Sequence, residues 1–343
     1  MKYLPWMCAM LLAGPGLLAC SDDEGDNPAA SGSGGSSSGS GGKSSTAGSG
    51  GKSSSTAGSK SDGGTPSNGE GGEGGASEPA AQDIIDTALA AGNFTQLAAA
   101  LTEAELVDAL KGDGPFTVFA PTDDAFDAFE EENPGVLAGL SKAELTNVLT
   151  YHVIAGAAAK STDLKDDQVL VTLAGSPVLI DLTGGVKVSD AEVTTPDIVA
   201  SNGVIHVIDK IILPPADDIV ATAVAAGMFT SLADALTSAD LVTTLQGDGP
   251  FTVFAPTDDA FDALGAAPTG DALKNVLLYH VVDGAVGSGD LAAGMVPTLL
   301  EDQSLTVDLD DGVKINDATV TTANIIAKNG VIHVVDTVLV PEE

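Results

Sequence analysis

Four histidines are the residues whose type and spacing first suggest chemistry. They fall into two pairs, His152 with His206 and His280 with His333, and each pair lies in motifs that recur along the chain. Two imidazoles in one domain could contribute to a zinc site, but such a site needs three or four converging ligands. An aspartate is available in each domain, yet no spacing fixes a ligand geometry. We therefore expect hydrogen-bonded histidines in apolar strands, and neither a metal nor another cofactor.

Paired acidic residues are the second candidate for chemistry. Asp123-Asp124 and Asp258-Asp259 could be catalytic carboxylates, but adjacent positions on a helix do not face each other. Each pair follows a threonine suited to a helix N-cap, and acidic side chains in a first turn favour the helix dipole. The run Asp308–Gly312 is calcium-like, yet its glycine is fifth and not sixth, so a hairpin turn explains it better. Because no nucleophile motif occurs elsewhere, the sequence predicts a protein that is not an enzyme.

One block of sequence organises the rest of the chain. Gly112–Ala128 recurs without change as Gly247–Ala263. Its Gly-Asp-Gly-Pro predicts a turn, its Phe-Thr-Val-Phe-Ala a short buried strand, and its Pro-Thr-Asp-Asp a capped helix. An identity of this length indicates two copies of one domain, which we assign to residues 81–214 and 215–343. The second copy lacks seven residues near Glu130–Glu132, and we expect that stretch to be a loop.

Helical patterns come first in each copy, and short β-runs follow. In the first copy, apolar spacing and two capping boxes, Thr102–Glu105 and Ser141–Glu144, predict helices. The predicted helices cover residues 83–91, 94–101, 102–110 and 141–150. The predicted strands cover residues 116–120, 151–154, 169–173, 178–182, 186–188 and 204–213, with turns at 183–185 and 201–203.

The N-terminal residues have the features of an export signal. Residues 1–19 combine a lysine, a short apolar run and a small residue before Cys20. Leu17-Leu18-Ala19-Cys20 resembles a bacterial lipobox, in which the cysteine becomes the lipidated N-terminus. Residues 20–80 then form a Gly/Ser-rich stretch without apolar periodicity, typical of a disordered tether. Because Ser21 follows the cysteine, the resemblance implies a lipid anchor in the bacterial envelope, at the outer membrane or cell surface, as the sole membrane contact.

Composition restricts the classes of partner. The formal net charge is −36, with 13 basic against 49 acidic residues, so phosphate backbones should repel the chain and nucleic acid is not an expected partner. Aromatic residues make up only 4% of the chain, which leaves few stacking surfaces for bases or sugars. Both cysteines, Cys8 and Cys20, precede the repeats, so apolar burial must stabilise each domain without disulfides.

Three motifs, in the same order in both copies, resemble the fasciclin (FAS1) domain family. They are Phe-Thr-Val-Phe-Ala-Pro-Thr-Asp-Asp-Ala-Phe, Tyr-His-Val and Asn-Gly-Val-Ile-His-Val, and the resemblance covers about residues 82–214 and 217–341. It implies an α+β fold with two tandem domains, each a compact wedge of short, sandwich-like β-strands packed with several helices. It also implies an extracellular protein associated with adhesion or matrix contact, without a catalytic apparatus.

The resemblance implies two binding segments. The Tyr-His segment of animal members is tied to integrin-type adhesion, and its matches here are Tyr151-His152 and Tyr279-His280. A second motif, close to Pro-Asp-Ile, matches Pro196-Asp197-Ile198 in the first copy, whereas the second copy has Ala323-Asn324-Ile325. If this motif acts here, the first copy is the expected binding unit; the alternative is that Ile198 and Ile325 are core residues and that Asp197 caps a turn.

These observations lead to one functional hypothesis and two alternatives. The leading hypothesis is a monomeric, surface-anchored adhesion or recognition lipoprotein that binds a surface or matrix protein or glycan. One alternative is a structural component of the envelope or of a biofilm matrix, without a specific ligand. The other is a small-molecule-binding or enzymatic domain that uses a cleft between helices and strands.

Overall fold

The structure is a computed structural model that describes residues 82–265 and 268–342. The predictions for the export signal, for lipidation at Cys20 and for the tether lie outside these residues. We call the described residues up to 214 the first domain and those from 215 onward the second domain.

The first domain places most of its helices before most of its strands. Its helices are α1 (Ile84–Ala91), α2 (Thr95–Glu103), α3 (Val107–Leu110), α4 (Asp123–Glu132), α5 (Val136–Gly139) and α6 (Lys142–Tyr151). Its strands are β1 (Phe116–Pro121), β2 (Val153–Ala155), β3 (Gln168–Val171), β4 (Pro177–Asp181), β5 (Lys187–Val188), β6 (Ala191–Ala200) and β7 (Gly203–Ile208).

The second domain repeats this order. Its described helices are α7 (Ile219–Ala226), α8 (Thr230–Ser238), α9 (Val242–Leu245), α10 (Asp258–Leu264) and α11 (Asp271–Tyr279). Its strands are β8 (Phe251–Pro256), β9 (Val281–Asp283), β10 (Gly294–Pro297), β11 (Ser304–Asp308), β12 (Lys314–Ile315), β13 (Ala318–Ala327) and β14 (Gly330–Val335).

Each domain is built on one mixed sheet of seven strands. The order in the first domain is β2-β1-β7-β6-β5-β4-β3, and β8–β14 repeat it. Strand β1 pairs with β7 in parallel, with Val118 opposite Ile205, and the other pairs in the sheet are antiparallel. Strand β6 pairs with β5 at its start and with β7 along the rest, and its register shifts between Val193 and Ile198. Such bulges bend a strand, so one sheet can curve into a sandwich-like shape.

Two apolar clusters hold the first domain together, one on each face of β1. Val118 packs with the helices, next to Leu97 and Ile205. Phe119, the next residue, points to the opposite face and packs between the two halves of the curved sheet, against Ile180. This alternation follows from the two-residue period of a strand. The predicted α+β fold with two tandem domains is confirmed.

The two predicted capping boxes have opposite outcomes. Ser141 caps α6 as predicted, since its Oγ accepts a hydrogen bond from the Glu144 N–H at 3.3 Å and the Glu144 carboxylate accepts one from the Ser141 N–H at 2.8 Å. The box at Thr102 is wrong, because Thr102 lies inside α2 and donates its hydroxyl hydrogen to the Ala98 carbonyl oxygen at 2.8 Å. A threonine bonded four residues back is compatible with a continuing helix, and α3 begins later, at Val107.

The prediction that the seven-residue difference between the copies lies in a loop is wrong. Glu130–Glu132 are the last residues of α4. In the second domain, α10 ends at Leu264 and α11 begins at Asp271, so the described residues between them contain no counterpart of α5. Within the described residues, the second copy therefore has a shorter helix in place of α4 and no single-turn helix like α5.

Candidate functional site

The tyrosines of the two Tyr-His segments are buried. Tyr151 is 1% exposed and donates its hydroxyl hydrogen to the Pro177 carbonyl oxygen at 2.9 Å. Tyr279 makes the equivalent bond to the Ser304 carbonyl oxygen at 3.0 Å. Burial raises the pKa of Tyr151 to about 12. Both side chains thus anchor the end of a helix to the sheet, and a direct role for them in binding stays a prediction.

His152 and His280 cap helices and do not lie in strands, which corrects the expectation for these two. His152 is the C-cap of α6, where its Nδ1 lies 2.7 Å from the Val148 carbonyl oxygen and its Nε2 accepts a hydrogen bond from the Ile212 N–H at 3.1 Å. His280 makes the same bonds at the end of α11. Because Nε2 is an acceptor, the proton is on Nδ1. Burial lowers the pKa of each histidine to about 4.

His206 and His333 lie in β7 and β14, as expected, and use the opposite tautomer. The Nε2 of His206 contacts the Ala159 carbonyl oxygen at 2.9 Å, and its Nδ1 accepts a hydrogen bond from the Asp197 N–H at 3.3 Å. The ring also stacks on Phe119. His333 has the equivalent partners in the second domain. All four imidazoles therefore use both nitrogens within the chain, and no cluster of three potential metal ligands occurs among residues 82–265 and 268–342.

The Pro196-Asp197-Ile198 segment lies at the bulge of β6, on the surface of the first domain. Asp197 has a φ of 63°, a conformation that aspartate and asparagine tolerate better than most residues. Its carboxylate accepts a hydrogen bond from the Ser161 N–H at 2.7 Å and another from the Ser161 hydroxyl. The hydroxyl bond is the main reason that the pKa of Asp197 is lowered. Pro196 is exposed, and Ile198 is partly buried against the helical core.

In the second domain, Asn324 occupies the position of Asp197. Its φ is 60°, and its side-chain oxygen accepts a hydrogen bond from the Ser288 N–H at 2.8 Å. The bulge is therefore a shared structural feature, whereas the negative charge at this position belongs to the first domain alone. The structure brings Asp197 next to His206 through a backbone bond, but it does not join this surface to the buried tyrosine.

A groove of about 820 Å³ opens on the first domain beside this bulge. We call it the β6–β7 groove, because the end of β6 and the start of β7 form one wall. Val199, which is 64% exposed, contributes an apolar side chain, and Lys160 and Lys111 contribute positive charges. Lys111 Nζ lies 3.0 Å from a carboxylate oxygen of Asp86, another lining residue. The groove thus combines opposite charges with an exposed apolar residue.

Asn202 shapes this groove, a role that its place in the sequence does not indicate. Its side-chain oxygen accepts a hydrogen bond from the Ile84 N–H at 2.9 Å, and its amide group donates to the carbonyl oxygens of Leu110 and Gly112 at 2.8 and 2.9 Å. One side chain therefore joins the start of α1 to the end of α3. The recurrence of Asn-Gly in both copies was the available signal. The adjacent Gly203 has no room for a Cβ atom, which would overlap the Phe116 carbonyl oxygen.

The acidic pair at the start of α4 is structural. Asp123 accepts hydrogen bonds from the N–H groups of Thr95 and Gln96, at 3.2 and 2.8 Å, so it caps α2 from a neighbouring helix. Asp258 accepts the corresponding bond from the Ser231 N–H at 2.7 Å. The Asp124 carboxylate makes no hydrogen bond or ion pair within the described residues. The two carboxylates therefore differ in their roles: Asp123 caps α2, and Asp124 does not.

This inequality predicts different costs for two neighbouring substitutions. Asp123→Ala leaves the first N–H groups of α2 without a cap and should lower the free energy of unfolding of the first domain by about 1–2 kcal/mol. Asp124→Ala, the matched control, should change it by less than about 0.5 kcal/mol. Urea unfolding followed by circular dichroism measures both. Equal losses from the two variants would contradict the assignment of the cap to Asp123.

None of the helices in the described residues has the length and hydrophobicity needed to cross a membrane.

Comparison with known proteins identifies the repeated unit. The model of the Fasciclin domain family matches residues 92–214 and 227–341. An uncharacterized protein of Synechocystis sp., sll1735, is 44% identical over 133 residues, which cover 38% of this chain and 97% of that protein. The transforming growth factor-beta-induced protein ig-h3 of Sus scrofa is 31% identical over 259 residues, or 72% of this chain, but these cover only 38% of ig-h3. A solved FAS1 domain pair from the insect cell adhesion molecule Fasciclin I has 18% identity and a TM-score of 0.33, and the match covers 73% of this chain and 97% of that pair.

Proposed function

The chain belongs to the Fasciclin domain family, and from that premise we propose that it is a surface-anchored adhesion or recognition protein that binds a surface or matrix partner through its first domain. Family membership supports adhesion as the general role, because adhesion is the role that the resemblance to fasciclin domains implies. The proposed mode of action is binding without catalysis. The buried, fully hydrogen-bonded histidines support this, because they leave no imidazole nitrogen for acid–base work.

The observation that carries the proposal is the exposed surface formed by the β6–β7 groove and the bulge beside it. A binding surface needs apolar area for affinity and charged groups for orientation. Val199 and Pro196 provide exposed apolar area, and Lys160 and Asp197 provide charges of opposite sign. In the second domain, Gly287 and Asn324 stand at the positions of the two charged residues. We therefore expect the first domain to bind and the second to contribute less.

We also propose that Cys20 carries a lipid and that residues 20–80 are a flexible tether to the envelope. A Gly-rich tether of this length has a root-mean-square reach of roughly 40–45 Å. Such a reach would let the two domains contact a partner beyond the membrane surface. This part of the proposal rests on the lipobox-like sequence that ends at Cys20.

Attachment assays test the binding part of the proposal. Cells that produce a chain without residues 81–343 should attach less to one another or to a matrix-coated surface than cells with the whole chain. The variant Lys160→Glu with Val199→Glu changes only the groove and should cause most of the same loss. Lys210→Glu with Leu213→Glu makes the same types of change on exposed residues outside the groove and should have no effect. Normal attachment by the groove variant, with wild-type amounts at the surface, would refute the proposed site.

The anchoring part has a separate test. Cys20→Ser should leave the chain unlipidated, so that it appears in a soluble fraction and not with envelope membranes. Mass spectrometry of the mature wild-type chain should find a lipidated N-terminal cysteine. An unmodified mature N-terminus at another residue would refute the anchor without affecting the binding proposal.

A further inference from the structure

A short turn of the second domain contacts an edge strand of the first. Asp290 receives most of the bonds: one carboxylate oxygen accepts from the Val169 N–H at 3.2 Å, and the other accepts from the Gln168 side-chain amide at 3.3 Å. Lys165 Nζ lies 3.5 Å from the same carboxylate. One residue earlier, the Gly289 N–H donates to the Asp167 carbonyl oxygen at 3.1 Å. The two domains are thus joined by backbone and side-chain bonds as well as by an ion pair.

Two glycines permit this contact. A Cβ atom at Gly289 would overlap the Asp166 carbonyl oxygen, and a Cβ atom at Gly287 would overlap the carbonyl oxygen of Asp167. Neither glycine has a positive φ. Glycine is therefore required because the two backbones lie close together, and not because of the backbone conformation. Any larger residue would push the turn away from β3 and break the bonds made by Asp290.

The equivalent turn of the first domain has lost these features. Lys160–Asp163 occupies the same place, because Ser161 bonds to Asp197 as Ser288 bonds to Asn324. Lysine and threonine replace the two glycines. Asp163 turns back on its own segment and accepts a hydrogen bond from the Lys160 N–H at 3.1 Å. Two features therefore distinguish the second copy from the first: the two glycines, and an aspartate whose carboxylate does not bond within its own turn.

The receiving strand differs between the copies as well. The first domain has Lys165-Asp166-Asp167 before Gln168, whereas the second has Ala292-Ala293 before Gly294. The second-domain counterpart of Val169 is Met295, which is 76% exposed. The Met295 N–H faces away from β11, because the paired Thr306 carbonyl oxygen bonds to Asn316 on the far side. No acceptor for this N–H occurs in the described part of the chain. The turn of the second domain therefore fits the edge strand of the first domain. Among the described residues, the turn of the first domain has no such edge strand to fit in the second domain.

We propose that Gly287–Asp290 is an interdomain latch that docks on the β3 edge of the first domain and holds the two domains together as one unit. An exposed edge strand offers unpaired N–H groups to other chains, and the latch occupies that of Val169. The partner of this surface is therefore the other domain of the same chain. The two domains should open and close at the latch as a local event, without unfolding of either core.

Amide hydrogen exchange of the full chain, followed by NMR, tests the latch directly. In the wild-type chain, the Val169 N–H should exchange slowly, whereas the Met295 N–H, its counterpart on an open edge, should exchange rapidly. In Asp290→Ala, exchange at Val169 should become at least about tenfold faster, as expected for loss of the only acceptor in the described residues. Gly289→Val should have the same effect by pushing the turn away. Asp163→Ala, at the equivalent position of the first domain, should leave Val169 unchanged.

Two results would overturn the latch. The first is a Val169 N–H that exchanges as fast as Met295 in the wild-type chain. The second is slow exchange at Val169 in both latch variants. Amides of the buried strand β14, such as that of Val331, report whether the second domain is folded. Their unchanged exchange in Asp290→Ala would assign the effect at Val169 to undocking.

Discussion

Asn329→Asp should destabilise the second domain more than any other single isosteric substitution that we consider. The Asn329 side chain is buried, and its amide group donates hydrogen bonds at 2.8 Å to the carbonyl oxygens of Leu245 and Gly247. Aspartate would place a carboxylate oxygen against those two acceptors. An uncompensated buried charge of this kind costs about 3–5 kcal/mol. Calorimetry and urea unfolding of the full chain should show an early transition for the second domain.

Two controls separate the charge from the location. Asn275→Asp makes the same change on an exposed face of α11 and should alter stability by less than about 0.5 kcal/mol. The loss in Asn329→Asp should diminish as the pH falls, because protonation of the buried carboxyl removes the charge. A variant as stable as the wild type at pH 7 would show that the bonds of Asn329 do not hold α9 to the sheet. Asn202→Asp should have the same sign but a smaller effect in the first domain, because Asn202 is only partly buried and lines the β6–β7 groove.

Acidification below pH 6.5 should destabilise both domains. The folded pKa of His152 and of His280 is about 4, below the ordinary value of 6.5. The unfolded chain therefore binds more protons between pH 6.5 and 4, and stability present above pH 6.5 is lost as the pH falls through that range. A difference of this size corresponds to about 3 kcal/mol for each histidine. The range from pH 6.5 to 5 is the most informative, since the lowered carboxyl pKa values act at more acidic pH.

The histidine origin of this pH dependence can be tested one domain at a time. His152→Leu removes the acceptor for the Ile212 N–H, so the first domain should be less stable at pH 7. Its stability should, however, change much less between pH 6.5 and 5 than in the wild type. The second domain of the same variant still contains His280 and serves as the internal control. An unchanged pH dependence of the first domain would mean that groups other than His152 bind the protons.

Short-range features were predictable because their partners are close in sequence. Thr122 caps α4 by accepting a hydrogen bond from the Ala125 N–H at 3.2 Å, only three residues away. The Ser141 capping box also closes within three residues. The capping box predicted at Thr102 did not form, because the threonine hydroxyl bonds to the Ala98 carbonyl oxygen inside a continuing helix. Local patterns thus specify which bonds are possible, and the packing of the helix decides which ones form.

The sequence by itself determined the duplication, the α+β order of elements and the family, because motifs that recur in one order leave few other interpretations. Only the tertiary structure decided what the individual polar residues do. Asn202 bonds to Ile84 across 118 residues, Asp123 caps a helix 27 residues earlier, and Asp290 receives the Val169 N–H from the other domain. Such partners are brought together by the parallel pairing of β1 with β7 and by close packing at glycines. No local sequence pattern indicates these bonds, because the donor and the acceptor of each are distant in the chain.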